Sequence, residues 1–432
     1  MTSLRIQSTP LKGKILAQPS KSMAHRALIC AALAKGESHI DNIVLSDDMI
    51  ATMAAIRMLG ADVTLEDSLN YKGRKKITVK SQGQISLKGN QIDCLESGST
   101  ARFIMPITRL SADSVTITGR GRLVERPFEI YKELFTQKGV IYSDCDGKMP
   151  ITLSGKLVGG QYTLPGNVSS QFISGLLFTL PLLEEPSIIT VTNKLESLPY
   201  IQMTLAVLKE FGIEIRYDSS YQNFDIPGGQ NYKAKPEYVV EGDWSQAAFF
   251  CVIGALSESL TLEGIIMDSL QGDKVIINIL EQMGAKPLFD RDSVTFRKSK
   301  LKGIDIDVSQ CPDLVPAISV AASLAEGTTR ITNAARLRIK ESDRLASTSQ
   351  ALGALGARII EEPDGLIIEG VPSLKGGTAS GAGDHRIVMA LATASTVCQG
   401  VIEINGSDAV NKSYPEFWQD FITLGGKLED NE

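Results

Sequence analysis

The chain has 432 residues, enough for two or three domains, and its formal net charge is −6. This acidic balance argues against nucleic acid or an anionic membrane as a partner, because such proteins usually carry a basic stripe. The six cysteines are scattered without a C-x-x-C pair, and three histidines are too few for a histidine-built metal centre. We therefore expect a cytoplasmic protein with no signal peptide, membrane span, disulfide framework or metal site.

A glycine that ends an amphipathic stretch and precedes a strand-like run recurs six times. The spacings are 79, 73, 72, 72 and 69 residues, and the glycines are Gly60, Gly139, Gly212, Gly284, Gly356 and Gly425. This pattern predicts a helix that ends at a left-handed glycine and is followed by a strand. A fixed period along the whole chain predicts six copies of one supersecondary unit.

The first copy predicts helix, strand, helix, strand, strand. Its expected helices cover 22–34 and 48–59, and its expected strands cover 39–45, 61–65 and 76–80. The sixth copy ends at Glu432, only seven residues after Gly425, and so lacks its last strand. The N-terminal run 3–8 alternates like that missing strand, and we predict that it completes the sixth unit.

Three copies in each half of the chain predict a mixed α/β fold with two similar domains. One domain comprises residues 20–240. The other is discontinuous and comprises residues 1–19 and 241–432. Two strands near 19–20 and 240 would join the domains, and a ligand cleft is expected between them because ligands commonly bind at such places.

Ser, Asp or Gly residues stand where the first helix of each copy begins, as ordinary helix caps do. These starts are predicted near Ser22, Ser99, Ser170, Ser245, Asp313 and His385, and the second helices near Asp48, Arg126, Tyr200, Asp273, Asp343 and Pro415. Seven cations stand at these equivalent positions, namely Lys21, Arg26, Arg126, Lys340, Arg344, Arg386 and Lys412. Helix N-termini attract anions, so the pattern indicates a ligand with more than one phosphate or carboxylate.

The run 336–344, Arg-Leu-Arg-Ile-Lys-Glu-Ser-Asp-Arg, is the densest of these junctions. As one helix it would stack Arg336, Lys340 and Arg344 on one face, where like charges repel. The repeat instead predicts a strand-to-helix junction at 340–343. The plainer alternative is a solvated helix start in which Glu341 and Asp343 pair the bases.

Ten short motifs, in order along the chain, resemble the 5-enolpyruvylshikimate-3-phosphate synthase family. They are Ser-Lys-Ser with Arg26 (20–26), Ser-Asp-Asp (46–48), Glu-Arg-Pro (125–127), Val-Ser-Ser-Gln-Phe (168–172), Pro-Tyr (199–200), Glu-Gly-Asp (241–243), Pro-Asp (312–313), Lys-Glu-Ser-Asp-Arg (340–344), Asp-His-Arg (384–386) and Lys-Ser-Tyr-Pro (412–415). The resemblance implies an inside-out α/β barrel fold, with three βαβαββ units per domain. It also implies enolpyruvyl transfer from phosphoenolpyruvate to the 5-hydroxyl of shikimate 3-phosphate, without metal or organic cofactor. Apart from the resemblance, we expect a monomer.

The resemblance also assigns residues to each substrate. Shikimate 3-phosphate would be held by Lys21, Ser22, Arg26, Ser169, Ser170, Gln171, Ser197, Tyr200, Asp313, Arg336 and Lys340. Phosphoenolpyruvate, and the inhibitor glyphosate in its place, would be held by Lys21, Gly98, Arg126, Gln171, Lys340, Glu341, Arg344, Arg386 and Lys412. Arginine forks suit such anions because they bind phosphate and carboxylate in a bidentate way.

The chemistry needs a base for the 5-hydroxyl and an acid for the methylene carbon. We expect Asp313 to be the base, with Lys21 as the alternative, and Glu341 to be the proton donor. Lys340 and Arg344 beside Glu341 favour its ionised form, which is a poor acid, unless bound anions counter them. His385 is expected to assist phosphate release, although a single histidine is more often structural.

The sequence departs from the family pattern at three places. Pro19 leads directly to Ser20 where the family usually has an extra glycine. The usual Asn-Ala-Gly-Thr is replaced by Glu-Ser-Gly-Ser at 96–99, and Arg336 replaces a usual asparagine. Gly98 keeps the small residue associated with glyphosate sensitivity, but the affinity stays open because of Glu96, Ser99 and Phe103.

Two other functions compete with this interpretation. A UDP-N-acetylglucosamine enolpyruvyl transferase would share the fold, but its reactive cysteine is missing from the loop 119–125. A non-catalytic sensor of phosphate or sugar phosphate would need neither Asp313 nor Glu341. Phosphate release from phosphoenolpyruvate, measured with shikimate 3-phosphate or with a UDP-sugar added, distinguishes the three functions.

Overall fold

A computed structural model of the chain describes residues 2–429. Met1 and residues 430–432, which the sequence analysis assigns to the discontinuous domain, lie outside the described part. The chain divides into two compact units. Residues up to Gln18 and from Glu241 onward form the discontinuous unit, and Pro19–Val240 form the continuous unit. Pro19, which the sequence analysis places with the discontinuous domain, therefore lies in the continuous unit.

The bounds of the strands follow the repeat along the chain. In order they are β1 (Ser3–Gln7), β2 (Gly13–Leu16), β3 (Ala34–Ile43), β4 (Asp62–Asp67), β5 (Lys75–Gln82), β6 (Gln91–Asp93), β7 (Val115–Thr118), β8 (Ile141–Cys145), β9 (Lys148–Ser154), β10 (Gly160–Leu164), β11 (Ser187–Val191), β12 (Arg216–Tyr217), β13 (Asn223–Ile226), β14 (Tyr232–Lys233), β15 (Tyr238–Val239), β16 (Ser259–Glu263), β17 (Leu288–Asp290), β18 (Ser293–Arg297), β19 (Asp305–Asp307), β20 (Thr328–Thr332), β21 (Arg358–Glu362), β22 (Gly365–Glu369), β23 (Lys375–Ser380), β24 (Gln399–Asn405) and β25 (Lys427–Glu429).

The helices alternate with these strands. They are α1 (Lys21–Leu33), α2 (Asp47–Met58), α3 (Gly98–Thr108), α4 (Glu129–Gln137), α5 (Ser170–Thr179), α6 (Leu198–Glu210), α7 (Trp244–Leu256), α8 (Ile276–Gln282), α9 (Val315–Ser323), α10 (Arg344–Ala354), α11 (His385–Ser395) and α12 (Phe417–Thr423). Short 3₁₀ turns cover Gly121–Glu125, Leu180–Leu182, Gly272–Val275, Pro312–Leu314, Ala335–Ile339 and Ser407–Lys412. Within residues 2–429, no helix has the length and apolar character needed to cross a membrane.

Six small sheets carry the repeat. The fifth has the order β19-β20-β22-β21, in which β19 and β20 are parallel and the other neighbours are antiparallel. With α9 and α10 between its strands, this is a βαβαββ unit. The remaining sheets have the same arrangement, and the first contains one extra short strand. The mixed α/β fold expected from the sequence is confirmed.

The N-terminus completes the sixth sheet, as predicted. β1 lies antiparallel to β24, with Ser3 opposite Asn405, and antiparallel to β25, with Ile6 opposite Leu428. β2 then supplies the parallel edge strand of the sheet that contains β16. In the continuous unit, β14 and β15 are likewise parallel edge strands beside β3.

All six glycines of the repeat have the left-handed backbone that the pattern predicts. Their φ angles are 107°, 78°, 83°, 109°, 87° and 102° for Gly60, Gly139, Gly212, Gly284, Gly356 and Gly425. A side chain is strained there, so glycine is favoured where each second helix ends.

Each unit has its own hydrophobic core, built largely by the first helix of each repeat. In α7, twelve of the thirteen residues are buried, the exception being Ser245. A helix that is apolar on all sides must be covered on all sides. The sheets therefore pack around these helices and leave the polar helix starts available for binding and catalysis.

Several predicted boundaries are wrong, for local reasons. β3 begins at Ala34 rather than at 39, because the strand continues directly from α1 and pairs with β5 from Lys35 onward. Arg126 does not begin a helix, since the following Pro127 favours an extended backbone, and its ψ is 144°. The run 336–344, by contrast, is interrupted where the repeat predicts a junction, so it is not one helix. A 3₁₀ turn ends at Ile339 and α10 begins at Arg344.

Candidate active site

Lys21 begins α1 and forms an ion pair with Asp48, in the first turn of the next helix. The Lys21 ammonium lies 2.5 Å from Asp48 Oδ2, and the two side chains are 17% and 14% exposed. Ser20 caps α1 by accepting a hydrogen bond from the Met23 amide. The cap holds the first turn of the helix, so the charge of Lys21 is fixed at the helix start.

Arg26 lies one turn further along α1 and is 2% exposed. Its Nε donates to Thr204 Oγ1 at 2.9 Å, and its two Nη atoms donate to the carbonyls of Ser22 and Tyr200 at 2.7 and 2.9 Å. The guanidinium also lies over the Phe103 ring, 5.4 Å from its centroid. Burial lowers the pKa of Arg26 to about 10, so it stays charged at neutral pH. Arg26 thus fixes Ser22 and Tyr200 relative to each other.

Gly98 begins α3 and packs directly against guanidinium groups. A Cβ added at Gly98 would overlap Arg126 Nη1 and would lie 3.1 Å from Arg102 Nη1. Arg102 Nη1 donates to Gln171 Oε1 at 2.8 Å, and Gln171 Nε2 donates to Ser99 Oγ at 2.8 Å. The structure therefore places Gly98, Arg126 and Gln171 together, and it adds Arg102, which the sequence analysis missed.

The serines of the predicted shikimate 3-phosphate pocket lie at two further helix starts. Ser169 caps α5 by accepting from the Gln171 amide at 3.3 Å, and Ser170 is the buried first residue of that helix. Ser197 precedes α6 with a φ of 54°, a left-handed backbone that is uncommon for a serine. Its carbonyl accepts from the Tyr200 amide at 3.1 Å. Strain of this kind is often found at functional sites.

In the discontinuous unit, one arginine holds three carboxylates. Arg344 is 1% exposed and donates to Asp384 Oδ2 at 2.8 Å, to Asp313 Oδ1 at 2.8 Å and to Glu341 Oε2 at 2.6 Å. Burial alone would lower the pKa of Arg344, but these three carboxylates raise it. The two predicted acid–base residues, Asp313 and Glu341, thus lie on the same guanidinium.

Asp313 is surrounded by cations. Besides Arg344, Arg386 Nη2 lies 3.2 Å from Asp313 Oδ2, and the Lys340 ammonium lies 3.8 Å from Asp313 Oδ1. Burial would raise the pKa of Asp313, yet Arg386, Lys340 and Arg344 together hold it well below its usual range. Desolvation lowers the pKa of Lys340 to about 8, against the opposing charge of Asp313. Three of the four predicted helix-start cations of this unit therefore converge on the predicted base.

Arg338 fixes the turn that carries Lys340 and Glu341. It donates to Asp343 Oδ2 at 2.9 Å, to Glu361 Oε1 at 2.7 Å and to the carbonyl of Glu362 at 2.7 Å. Asp343 is itself the cap of α10 and accepts from the Ala346 amide. The turn is thereby attached to the β21–β22 hairpin.

Three other predicted residues have distinct surroundings. Arg336 is 8% exposed and donates to the Ser309 carbonyl. The Lys412 ammonium donates to the Gly383 carbonyl at 2.8 Å. His385 is the first residue of α11, is 2% exposed, and has Nδ1 3.8 Å from Asp384 Oδ1. Asp384 itself was missed as a site residue, although it stands in the Asp-His-Arg motif next to His385.

Asp273 is a second residue that sequence reasoning left without a role. It is the second residue of the 3₁₀ turn Gly272–Val275, as Asp48 is the second residue of α2, so the two carboxylates correspond. Where Asp48 pairs with Lys21, Asp273 instead accepts a hydrogen bond from Ser245, which donates to Asp273 Oδ2. The other carboxylate oxygen, Oδ1, is buried and has no hydrogen-bond partner among the described residues. Burial, and then the charge of Asp313, raise the pKa of Asp273 to about 7.

Asp273→Asn should make the protein more stable at alkaline pH. The folded-state pKa exceeds the unfolded value, so wild-type stability declines as pH rises from about 4 to about 7. The amide removes that decline, and at pH 8 we expect a gain of up to about 4 kcal/mol in the free energy of unfolding. At pH 4.5 the two proteins should be nearly equal. Urea unfolding at both pH values measures the difference.

Asp48→Asn is the matched comparison. It removes the carboxylate that pairs with Lys21, and we expect it to destabilise the protein at pH 8. If Asp273→Asn lost stability at pH 8 as Asp48→Asn does, Asp273 would be an ordinary ionised carboxylate and the assignment would be wrong.

Fold and site together define the class of protein. It is an α/β protein of six βαβαββ units, whose helix starts carry cations suited to polyanions and carboxylates suited to proton transfer. Among residues 2–429 no group of three or more His, Cys, Asp and Glu side chains is arranged to hold a metal ion.

The family model of EPSP synthase (3-phosphoshikimate 1-carboxyvinyltransferase) matches residues 6–421. The chain therefore belongs to the EPSP synthase family. It is 48% identical to the 3-phosphoshikimate 1-carboxyvinyltransferase of Clostridium acetobutylicum, over 100% of this chain and 99% of that protein. The corresponding protein of Clostridium kluyveri is 45% identical, with the same coverage.

Solved structures agree with this membership. EPSP synthase from Acinetobacter baumannii superposes with a TM-score of 0.82 at 27% identity, covering 100% of both chains. The enolpyruvyl transferase NikO from Streptomyces tendae superposes with a TM-score of 0.80 at 16% identity, covering 99% of this chain and 98% of that chain, which shows the fold alone. The resemblance stated from the ten motifs is confirmed at the level of the family.

Proposed function

We propose that this protein transfers the enolpyruvyl group of phosphoenolpyruvate to the 5-hydroxyl of shikimate 3-phosphate and releases phosphate. The observation that carries the proposal is the pairing of Asp313 and Glu341 on one buried guanidinium, at 2.8 and 2.6 Å. Binding an anion requires cations alone, whereas two carboxylates beside those cations supply a base and an acid. The names of the clostridial relatives support the same reaction.

Shikimate 3-phosphate is assigned to polar side chains and cations at helix starts, together with the proposed base Asp313. The proposed contacts are Lys21, Ser22, Arg26, Ser169, Ser170, Gln171, Ser197, Tyr200, Asp313, Arg336 and Lys340. Three of the five N–H groups of Arg26 are used by the protein, so its role is chiefly to hold Ser22 and Tyr200 in place. The charge that meets the phosphate is then that of Lys21, together with the N-termini of α1 and α5.

Phosphoenolpyruvate is assigned to a set of arginines and lysines together with Gly98, Gln171 and Glu341. The proposed contacts are Lys21, Gly98, Arg126, Gln171, Lys340, Glu341, Arg344, Arg386 and Lys412. Gly98 leaves space for Arg126 to lie against the start of α3, where the helix dipole also favours an anion.

The reaction proceeds by addition and elimination. Asp313, or Lys21 in its place, takes the proton of the 5-hydroxyl, whose oxygen bonds to C2 of phosphoenolpyruvate. Glu341 gives a proton to C3, which becomes a methyl group in a tetrahedral intermediate. One methyl proton then returns to a base, the double bond forms again, and the C2–O bond to phosphate breaks. His385 is proposed to assist the departure of phosphate.

Binding of the anionic substrate prepares the base. Arg386, Lys340 and Arg344 hold the pKa of Asp313 well below its usual range, which makes it a weak base. A phosphate or carboxylate placed on these cations offsets their charge and raises the basicity of Asp313. The same substrate must share Arg344 with Glu341, which weakens the ion pair that disfavours protonated Glu341.

Phosphate release from phosphoenolpyruvate tests the proposal. We expect release that depends on added shikimate 3-phosphate and that does not occur with UDP-N-acetylglucosamine. Release with the UDP-sugar alone would favour the other enolpyruvyl transferase. No release with either compound, but tight binding of shikimate 3-phosphate by calorimetry, would favour a sensor.

Gly98→Ala should weaken phosphoenolpyruvate binding. The added methyl group would overlap Arg126 Nη1, so the guanidinium must move away from the start of α3. We expect KM for phosphoenolpyruvate to rise about tenfold, which corresponds to about 1.4 kcal/mol, with a smaller change in KM for shikimate 3-phosphate. Steady-state kinetics with each substrate varied in turn measures both values.

Gly353→Ala is the matched control, because a Cβ at this glycine of α10 meets nothing within 4 Å. It should leave both KM values unchanged. Equal kinetics for the two alanine variants would contradict the placement of phosphoenolpyruvate beside Gly98.

We further propose that the protein is a cytoplasmic monomer and that glyphosate competes with phosphoenolpyruvate. The cytoplasmic assignment rests on the six unpaired cysteines, of which five are buried. Glyphosate carries a phosphonate and a carboxylate, which suit the same cations.

A further inference from the structure

A chain of four buried side chains connects the starts of α1, α2 and α3. His25 Nδ1 lies 2.7 Å from Thr52 Oγ1, which lies 2.7 Å from Thr100 Oγ1, and Thr100 Oγ1 lies 2.8 Å from Ser97 Oγ. All four residues are at most 1% exposed. Water therefore has little access to compete for these hydrogen bonds, and the chain is a fixed part of the continuous unit.

The protons along this chain can be assigned by counting. The Thr100 hydroxyl donates to Ser97 Oγ, and a hydroxyl has a single proton. Thr52 must therefore donate its own proton to Thr100. Nothing remains on Thr52 to give to the imidazole, so His25 donates to Thr52 and carries its proton on Nδ1. Burial, followed by the charges of Lys21 and Arg26, lowers the pKa of His25 well below its ordinary value, and the ring is neutral.

His25 Nε2 then carries a lone pair in the interior. It is buried and has no hydrogen-bond partner among the described residues. An unsatisfied buried acceptor is unfavourable for folding, and such groups in native proteins need an explanation. A histidine is therefore an unfavourable residue at this position unless its hydrogen bond to Thr52 has a role.

The two ends of the chain reach proposed substrate contacts. His25 follows Lys21 by one turn of α1, and Thr52 follows Asp48, the partner of Lys21, by one turn of α2. At the other end, Ser97 caps α3 and accepts from the Thr100 amide at 3.2 Å. Gly98 comes next and packs against Arg126. The hydrogen-bond chain thus joins the Lys21–Asp48 ion pair to the start of α3.

We propose that His25 is a positioning residue that, through Thr52 and Thr100, fixes the start of α3 relative to Lys21 and thereby sets the affinity for phosphoenolpyruvate. The inference rests on the proposed function for the substrate, but the hydrogen-bond chain itself does not. Each part can therefore be tested separately.

Imidazole ¹⁵N spectra of the whole protein test the chain. The three histidines are His25, His39 and His385, so the spectrum is simple. We expect one ring to stay neutral between about pH 5.5 and 8.5 with its proton on Nδ1, and that signal to vanish in His25→Asn. A His25 ring that titrates in this range, or that carries its proton on Nε2, would overturn the assignment, whatever the enzyme catalyses.

Substitutions at Thr52 test the effect on binding. Thr52→Val keeps the shape but removes both hydrogen bonds, and we expect KM for phosphoenolpyruvate to rise about tenfold while kcat changes less than about threefold. Thr52→Ser keeps the hydroxyl and should restore the wild-type values.

Thr179→Val is the control, because Thr179 is equally buried and its hydroxyl donates only to a carbonyl of its own helix, Gly175, at 3.0 Å. Equal kinetics for Thr52→Val and Thr179→Val, or no recovery in Thr52→Ser, would overturn the positioning role. If the wild type itself transferred no enolpyruvyl group, the proposed function would fail while the spectra still decided the hydrogen-bond chain.

Discussion

Glu341→Gln is expected to lower turnover about a thousandfold, within the range that general acid–base catalysis contributes. Glutamine can still accept a hydrogen bond from Arg344 through its amide oxygen, so the turn from Lys340 to Arg344 should keep its position. It has no proton to give to C3 of phosphoenolpyruvate. Both substrates should therefore bind within about threefold of the wild-type affinity, while the addition step fails. Rapid-quench turnover and calorimetric binding measure the two effects.

Glu369→Gln is the matched control for this variant. Glu369 also pairs with an arginine of the same unit, Arg358, at 3.1 Å, but both side chains are well exposed. Its replacement should leave turnover unchanged. Near-normal turnover in Glu341→Gln would remove Glu341 from the mechanism.

Arg344→Met is expected to destabilise the protein strongly at neutral pH. The substitution leaves Asp384, which is 0% exposed, and Asp313 without a shared cation. Removing one partner from a buried ion pair typically costs about 3–5 kcal/mol. The free energy of urea unfolding should fall by a similar amount, and phosphoenolpyruvate binding should be lost.

The loss of stability in Arg344→Met should be smaller at acidic pH. Burial would raise the pKa of Asp384, but Arg344 and His385 keep it low in the wild type. Without Arg344 that pKa rises, so Asp384 of the variant becomes protonated as pH falls, and the cost of its buried charge disappears. The wild type loses the stability of its ion pair only at lower pH. The difference between the two proteins should therefore be smaller at pH 5 than at pH 8.

Two comparisons sharpen this result. Arg344→Met combined with Asp384→Asn should recover part of the stability, because the buried charge is removed with its partner. Arg358→Met breaks an exposed pair and should cost less than about 1 kcal/mol. Full stability of Arg344→Met at pH 8 would contradict the structural role given to this arginine.

The repeat was the part of the fold that the sequence predicted best. The six glycines have positive φ angles because a helix that turns sharply into a strand needs a left-handed residue there. The pairing of β1 with β24 and β25 was predictable because the sixth unit lacked its last strand and the N-terminal run had the alternation of such a strand. The extended backbone at Arg126 could also have been predicted, since Pro127 follows it.

The ion pairs within the site could not be predicted in the same way. Asp313, Glu341 and Asp384 meet at Arg344 from three separate elements, and only the packing of α9, α10 and α11 brings them together. The motif that contains Asp384 was recognised, but its side chain was not distinguished from an ordinary helix cap. A cap accepts backbone hydrogen bonds, and Asp384 does this as well as binding Arg344.

The hydrogen-bond chain from His25 to Ser97 could not be predicted from the sequence, for a similar reason. Its members stand on three helices, and threonines within helices usually bond to their own backbone. Asp273 became distinctive only when the two units were compared. Asp273 is bonded to the uncharged Ser245, whereas Asp48 is paired with the ammonium of Lys21.

Enolpyruvyl transfer by proton addition and elimination is the central claim, and the reaction in D₂O tests it most directly. Protonation of C3 makes a methyl group that carries one deuteron, and elimination then removes a proton or a deuteron. We predict a product with the enolpyruvyl group on the 5-oxygen of shikimate 3-phosphate and with deuterium in its methylene group, detected by NMR and mass spectrometry. Phosphate release without that ether, or a product methylene free of deuterium, would contradict the account.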